Sequence, residues 1–335
     1  MRYTKATLFI ISGVITIIGI FSVVTLFGDP VSKDAHAEIN FDDKISIDEV
    51  NRLIVEKRKS MPSENIFYFG FDLRNGPLED ARNYLPFLSY LNQTTGYDFR
   101  LRFIPKNTSI IDQLGTGQIS IAALGAVSFI KAREKYGAVS LARGLNTIWK
   151  TQYRSIIVVA KNSPIKKISD LKGKRFAFGS LTSTQGHLIP RIMMQKQGLS
   201  LKDLGSYTYT GSHKKCALAV IQGNFDACGM QDTLAVSLIK SGELEALEIS
   251  GLYPSSGIAA NINMPKKMLE KIIPALINFQ PSGRDRDGLY DWQQTEMPNG
   301  FGPALATDYD ALRNWLYQFG MLKAEQKKSE RVPPQ

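Results

Sequence analysis

Two cysteines and three histidines are all that 335 residues supply of the usual metal-binding side chains. Cys216 and Cys228 lack zinc-site spacing, and His36, His187 and His213 are too scattered to form a cluster, so no metal or other cofactor is expected. Neither a G-x-S-x-G elbow nor a paired-carboxylate motif appears, and no catalytic residue is assigned. The absence of internal repeats and low-complexity tracts excludes solenoid and collagen-like arrays. Basic residues outnumber acidic ones, 41 to 31, for a formal net charge of +10. They are spread along the chain instead of gathered into a strip, which argues against nucleic acid as a partner.

What is present begins with one long apolar run. Arg2 and Lys5 precede "ATLFIISGVITIIGIFSVVTLFG", residues 6–28, which has no charge and is long enough to cross a hydrocarbon core. The positive end stays cytoplasmic, so everything after Asp29 is expected outside. Two readings compete: a signal peptide cut near Ala35-His36-Ala37, or a retained anchor, which the length of the run favours. No cysteine follows the run to carry a lipid. In an oxidising compartment Cys216 and Cys228 can bridge, but their apolar contexts, "KKCALAV" and "FDACGM", read more simply as two separate buried thiols.

Residues 29–64 are rich in charge and read as a tether. From there strands and helices alternate. "IFYFGF" (66–71) is a buried strand, and Gly76-Pro77 turns into a helix with Leu78, Leu85, Leu88 and Leu91 near one face. A strand over 97–105, a helix over 108–115 and the strand "QISIAAL" complete a parallel α/β unit. The pattern repeats from "SIIVVA" (155–160). Ser169 is placed to cap a single helical turn before "RFAFG", and "GHLIPRIMMQKQG" is a helix. "SYTYTG", the helix "SHKKCALAVIQG" and "FDACGM" follow. "ALEISGLYPSSGIAANINMP" gives another strand-like segment, "MLEKIIPALINF" and "DYDALRNWLYQFG" give helices, and a polar tail runs over 321–335.

Chemistry gathers at two polar turns. "LTSTQG" places Thr182, Ser183, Thr184, Gln185 and Gly186 between the end of a strand and a helix N-terminus, where unpaired N–H groups, the helix dipole and neutral hydroxyls suit an oxyanion. Capping of the helix alone is the competing reading. Thr210-Gly211-Ser212-His213 is a second such turn. Asp226 and Asp232, single acids at or after a strand end, contact a ligand hydroxyl or amine or else hold a turn.

The succession "YRSIIVVAKNSPIKKISDLKGKRFAFG", "FGSLTSTQGHLIPR", "GSHKKCALAVIQGNFDACGM" and "GFGPALATDYDALRNWL" resembles the phosphonate, phosphite and phosphate group of periplasmic substrate-binding proteins that serve ABC importers. The resemblance covers roughly residues 65–320. It implies a two-lobed type 2 periplasmic binding protein fold, α/β, with a mostly parallel sheet in each lobe. Lobe one takes about 65–154 and 250–320, and lobe two about 155–249. Its anion loop falls on Ser183, Thr184, Gln185 and Gly186 with His187 beside it, its histidine turn on Ser212 and His213, and a tyrosine position on Tyr153. Gly125 to Ser128 lie on the first-lobe loop facing the cleft.

Departures are specific. Gln185 stands where many relatives have serine, and Lys214 where an acidic residue is common, which argues against an amino-substituted ligand. "FDLRNGP" lacks the expected aromatic or serine pattern. Arg74 within it can pair with an oxyanion, although a free surface arginine is the simpler reading. The implied partners are a small anion, an ABC permease and, through 6–28 if uncleaved, the inner membrane, with the chain a periplasmic monomer. Three other classes stay open: an anchored sensor that reports occupancy, an enzyme on the same fold as in thiamine-pyrimidine synthesis, and the effector half of a transcription regulator. The exported start argues against the last two.

Overall fold

Uninterrupted apolar runs become the central strands of two sheets. The computed structural model describes residues 66–323, apart from Lys106 and Ala306. The expected anchor or signal at 6–28, the tether at 29–64 and the tail from 324 lie outside the described residues. Among the described residues, no helix is long and apolar enough to cross a membrane.

Strand β1 (Ile66–Phe71) pairs in parallel with β2 (Asp98–Leu101) and β3 (Ile121–Leu124), with α1 (Pro77–Thr95) and α2 (Ile110–Gly115) as crossovers. After α3 (Ala126–Tyr136) and β4 (Val139–Gly144), the chain crosses to a second sheet through β5 (Gln152–Tyr153). That sheet comprises β6 (Ser155–Ala160), β7 (Arg175–Phe178), β8 (Ser206–Tyr209), β9 (Ala227–Gln231) and β10 (Leu244–Ile249), in the order β10-β6-β9-β7-β8. Helices α4 (Ile189–Lys196), α5 (His213–Ile221) and α6 (Asp232–Lys240) connect it. The return crossing, β11 (Tyr253–Pro254), pairs antiparallel with β5. Then β12 (Gly257–Ala260), α7 (Lys266–Asn278), β13 (Phe301–Gly302) and α8 (Asp310–Gln318) complete the first sheet, in the order β13-β4-β12-β3-β1-β2.

Both sheets are mixed, not mostly parallel as expected. β12 runs antiparallel to β3 and β4, and β6 runs antiparallel to β9 and β10. The cause is the double crossing. A strand that enters from the seam, as β6 does at Ser155 opposite Gln231, must run away from the end at which its neighbour β9 finishes.

Other expectations shift for local reasons. In α1 the buried face is Ala81, Tyr84, Phe87, Leu88 and Leu91, while Leu78 and Leu85 are exposed at 39% and 42%, about a quarter turn away at roughly 100° per residue. The short helix over Ile168–Leu171 starts after Lys167, not Ser169, and the Asp170 carboxylate accepts the N–H groups of Lys166 and Lys167. The strand-like stretch after Ala246 is divided into the end of β10, β11 and β12.

The core follows from these faces. Under the first sheet Phe69, Tyr84, Phe87, Phe279, Trp292 and Phe301 pack edge-to-face or tilted, with Phe87 and Trp292 centroids 5.3 Å apart. On its other face Leu188 and Ile192 of the second lobe join Val127, Tyr309 and Leu312. Cys216 of α5 and Cys228 of β9 form a disulfide, contrary to the reading as two separate thiols. Apolar context does not distinguish a thiol from a half-cystine, since both bury well. The bond closes a loop of sequence separation 12, a length for which chain entropy contributes about 3 kcal/mol. The paired Cys216→Ala, Cys228→Ala variant is expected to lose up to about that much stability, read as a lower urea midpoint, and dithiothreitol should no longer shift its melting temperature.

Candidate functional site

The second lobe brings its two polar turns to one place because β7 and β8 run parallel and both end there. Ser183 caps the turn after β7, its Oγ accepting the Gly186 N–H at 2.8 Å, and a π-helical turn over Thr184–Leu188 leads into α4. Gly179 N–H donates to the Gly186 carbonyl at 2.9 Å. A Cβ at Gly186 would stand 2.9 Å from both His213 Cε1 and Ser183 Oγ, so the close approach of the two turns requires glycine. Ser212 caps α5, accepting Lys215 N–H at 3.2 Å.

The first lobe answers with a buried ionic cluster. Asp72 follows β1 at its carboxyl end, and its carboxylate accepts Gly125 N–H at 2.8 Å and Ser128 Oγ–H at 2.9 Å, at the start of α3. Arg74 is 4% exposed, so the reading as a surface arginine is overturned. Its Nη2 donates to Glu296 Oε2 at 2.9 Å and its Nη1 to the Asp72 carbonyl at 2.9 Å. Ser256 Oγ also donates to Glu296 Oε2. Asp80 accepts the N–H groups of Arg74, Asn75 and Gly76, which orders the "RNG" turn, and burial lifts its pKa to about 6.

The two lobes touch through hydrogen bonds. Val127 N–H donates to Thr184 Oγ1 at 3.0 Å, His213 N–H to the Arg74 carbonyl at 2.9 Å, and Gln231 Nε2 to the Gln294 carbonyl at 2.9 Å. A Cβ at Gly125 would lie 3.3 Å from Thr184 Oγ1, 3.5 Å from Asp72 Oδ2 and 3.9 Å from Ser256 Oγ, so side chains of both lobes converge on this glycine. Tyr153, 2% exposed, has Thr184 and Ser256 as polar neighbours, and its hydroxyl is buried without a hydrogen-bond partner. A buried, unpaired hydroxyl is costly and marks a place where a further polar group fits.

Of the sequence-predicted residues, the structure brings Ser183, Thr184, Gly186, Ser212, His213, Tyr153 and Ser128 to this seam and commits the side chains of three others to protein partners. Gln185 Nε2 gives its hydrogens to the Arg154 carbonyl at 2.7 Å and Asp232 Oδ1 at 3.1 Å, so the extra length over serine reaches back to the crossing segment. Asp232 also accepts Arg154 N–H and Thr233 N–H, holding that segment. His187 has Nδ1 2.8 Å from the Leu181 carbonyl and Nε2 3.1 Å from Tyr209 Oη, both ring nitrogens thus engaged, beside Phe178. His213 Nδ1 accepts Gln231 N–H, which leaves its neutral ring with the proton on Nε2. Burial lowers both imidazoles to about 4.

Sequence reading missed Asp72, Ser256 and Glu296. Asp72 carried a usable signal as the first polar residue after an apolar strand of a parallel pair, a position where ligands sit in α/β sheets. Ser256 and Glu296 carried none, since only the return of the chain places them here.

The family described as the periplasmic substrate-binding protein of phosphonate ABC transporters matches residues 69–309. The phosphonates-binding periplasmic protein of Escherichia coli K12 is 26% identical over 205 residues, 58% of this chain and 60% of that one. A probable phosphite-binding protein of an ABC transporter from Prochlorococcus marinus is 25% identical over 191 residues, 54% of this chain and 55% of its own length. The chain thus spans less than two thirds of either relative. In three dimensions it is similar to PhnD1 of Prochlorococcus marinus in complex with methylphosphonate, with a TM-score of 0.68 and 19% identity over 77% of this chain and 99% of that one, a likeness of fold.

Two outcomes follow from the geometry. Gln185→Ser leaves Asp232 and the Arg154 carbonyl short of a donor, which should cost about 1–3 kcal/mol in denaturant titration while leaving ligand preference unchanged. The folded-state pKa of each buried histidine lies below its free value, so the stability linked to it is complete above about pH 6.5 and lost as pH falls toward 4. Imidazole nitrogen shifts of His187 and His213 followed by NMR should accordingly stay those of neutral rings from pH 8 to 5.5.

Proposed function

The chain belongs to the phosphonate-binding family of ABC-transporter periplasmic proteins, and on that premise we propose that it captures a small oxyanion of the phosphonate, phosphite or phosphate class and delivers it to an ABC import permease. The observation that carries this reading is the buried Tyr153 hydroxyl, which makes no well-formed hydrogen bond and has only the hydroxyls of Thr184 from one lobe and Ser256 from the other within reach.

Neutral donors hold the anion. Ser183, Thr184 and Ser212 each receive a backbone N–H on the hydroxyl oxygen and keep their own hydrogens to give. Tyr153 and the Nε2–H of His213 add two more. Such donors are worth more once water is excluded, because the local dielectric falls. Exclusion comes from closure of the lobes about the paired crossings at 152–153 and 253–254, which absorb the rotation. The cross-lobe bonds of Val127 to Thr184 and His213 to Arg74 then latch the closed form. No bond in the ligand is made or broken. Binding takes place in the periplasm, and residues 6–28 tether the protein to the inner membrane, as their length and lack of charge support.

Titration calorimetry with phosphate, phosphite, methylphosphonate and sulfate tests the reading. At least one phosphorus oxyanion should bind with 1:1 stoichiometry, and Tyr153→Phe should weaken it about ten-fold, the worth of one buried hydrogen bond. Silence with all four would overturn the oxyanion assignment.

A further inference from the structure

An internal carboxylate already occupies part of the donor set at the seam. Glu296 Oε2 accepts Arg74 Nη2–H at 2.9 Å and also the hydroxyl hydrogen of Ser256, and all three residues are buried. They belong to the first lobe and lie on its wall of the seam. His213 of the second lobe gives its N–H to the Arg74 carbonyl, and Ser256 is within reach of the Tyr153 hydroxyl at the crossing. The charge of Glu296 acts on Tyr153 and His213, two of the donors assigned to the ligand.

The pairing leaves a donor over. One oxygen of Glu296 serves both Arg74 and Ser256, while Arg74 Nε is buried without an acceptor. An unanswered N–H of a buried cation is costly. Nε–H and an Nη–H of a guanidinium run parallel and match two oxygens of one oxyanion, so a phosphorus oxyanion can answer both where Glu296 answers one. Charge permits the exchange as well. Removing Glu296 alone would strand the guanidinium, whereas an anion that takes its place leaves Arg74 compensated.

We propose that Arg74 is a ligand-binding residue for which Glu296 is a built-in stand-in: the anionic head of the ligand displaces the Glu296 carboxylate, accepts Nη2–H and Nε–H of Arg74 on two oxygens, and gives them back to Glu296 on release. This rests on the oxyanion reading above and adds one cation to its neutral donors. Affinity then reflects the difference between ligand and Glu296 as partners of Arg74, so the internal carboxylate weakens capture and eases delivery.

The test is titration calorimetry at pH 7.5 with phosphite and methylphosphonate. Glu296→Gln should bind at least one of them ten-fold or more tighter than the wild type. Glu296→Asp keeps the charge but draws the carboxylate back by one methylene, and it should bind the same anion three-fold or more tighter; it also carries the test if the Gln variant does not fold. In the wild type itself the Arg74 Nε–H proton resonance should move downfield on saturation with the anion, as an N–H does when it gains an acceptor. An unmoved resonance overturns the proposal even if neither variant folds. So does the absence of a gain in both variants, or a gain in Glu296→Gln alone, which charge acting at a distance would produce; the oxyanion reading survives these outcomes. If wild type and variants bind neither anion, nor phosphate or sulfate, both fall.

Discussion

Arg74 is the residue on which the seam between the lobes depends. Its guanidinium joins Glu296, the Asp72 carbonyl and Tyr84, and its carbonyl receives His213 N–H from the second lobe. A buried ion pair of this kind contributes little over a well-packed apolar pair, but removal of one partner strands a charge at a cost of about 3–5 kcal/mol. The pair therefore specifies arrangement more than it adds stability. It fixes the loop after β1 against the 292–297 segment, and that segment in turn receives Gln231 of the second lobe through the Gln294 carbonyl.

Around this pair the polar groups are sorted by the direction in which strands run. Strands β1, β3, β7, β8 and β9 end at the seam, so the helix starts and capping turns that follow the last four, at Gly125, Ser183, Ser212 and Asp232, collect there as well. Those turns supply backbone N–H groups in excess. Side chains answer them in both lobes: Asp72 for Gly125, Thr184 for Val127, Ser183 for Gly186 and Asp232 for Thr233. The answers differ in what they leave over: the hydroxyls of Ser183 and Thr184 retain hydrogens to donate, whereas the carboxylates of Asp72 and Asp232 retain lone pairs to accept.

Gln185 illustrates how a position can belong to a motif without serving its chemistry. By sequence it occupies a ligand-donor slot. In the fold its amide lies between Arg154 and Asp232, bracing the anion turn against the crossing strand. His187 has a similar history, with each ring nitrogen committed to Leu181 or Tyr209. Both residues position the turn.

Much was legible along the chain. An apolar run such as "SIIVVA" specifies a strand because a strand buried on both faces tolerates no alternation. Ser212 before its helix and Gly223 after it specify their ends because capping and positive φ are local requirements. The two polar turns were legible for the same reason. Strand direction, the bond between Cys216 and Cys228 and the meeting of Asp72, Arg74, Ser256 and Glu296 were not. The disulfide forms only because α5 packs on β9, and the cluster joins residues up to 222 positions apart that become neighbours when the chain crosses between lobes twice. The turns that can donate to an anion are set locally, by hydroxyl and glycine residues between a strand and a helix. The carboxylates at the same seam arrive through burial and long-range pairing that no local pattern encodes.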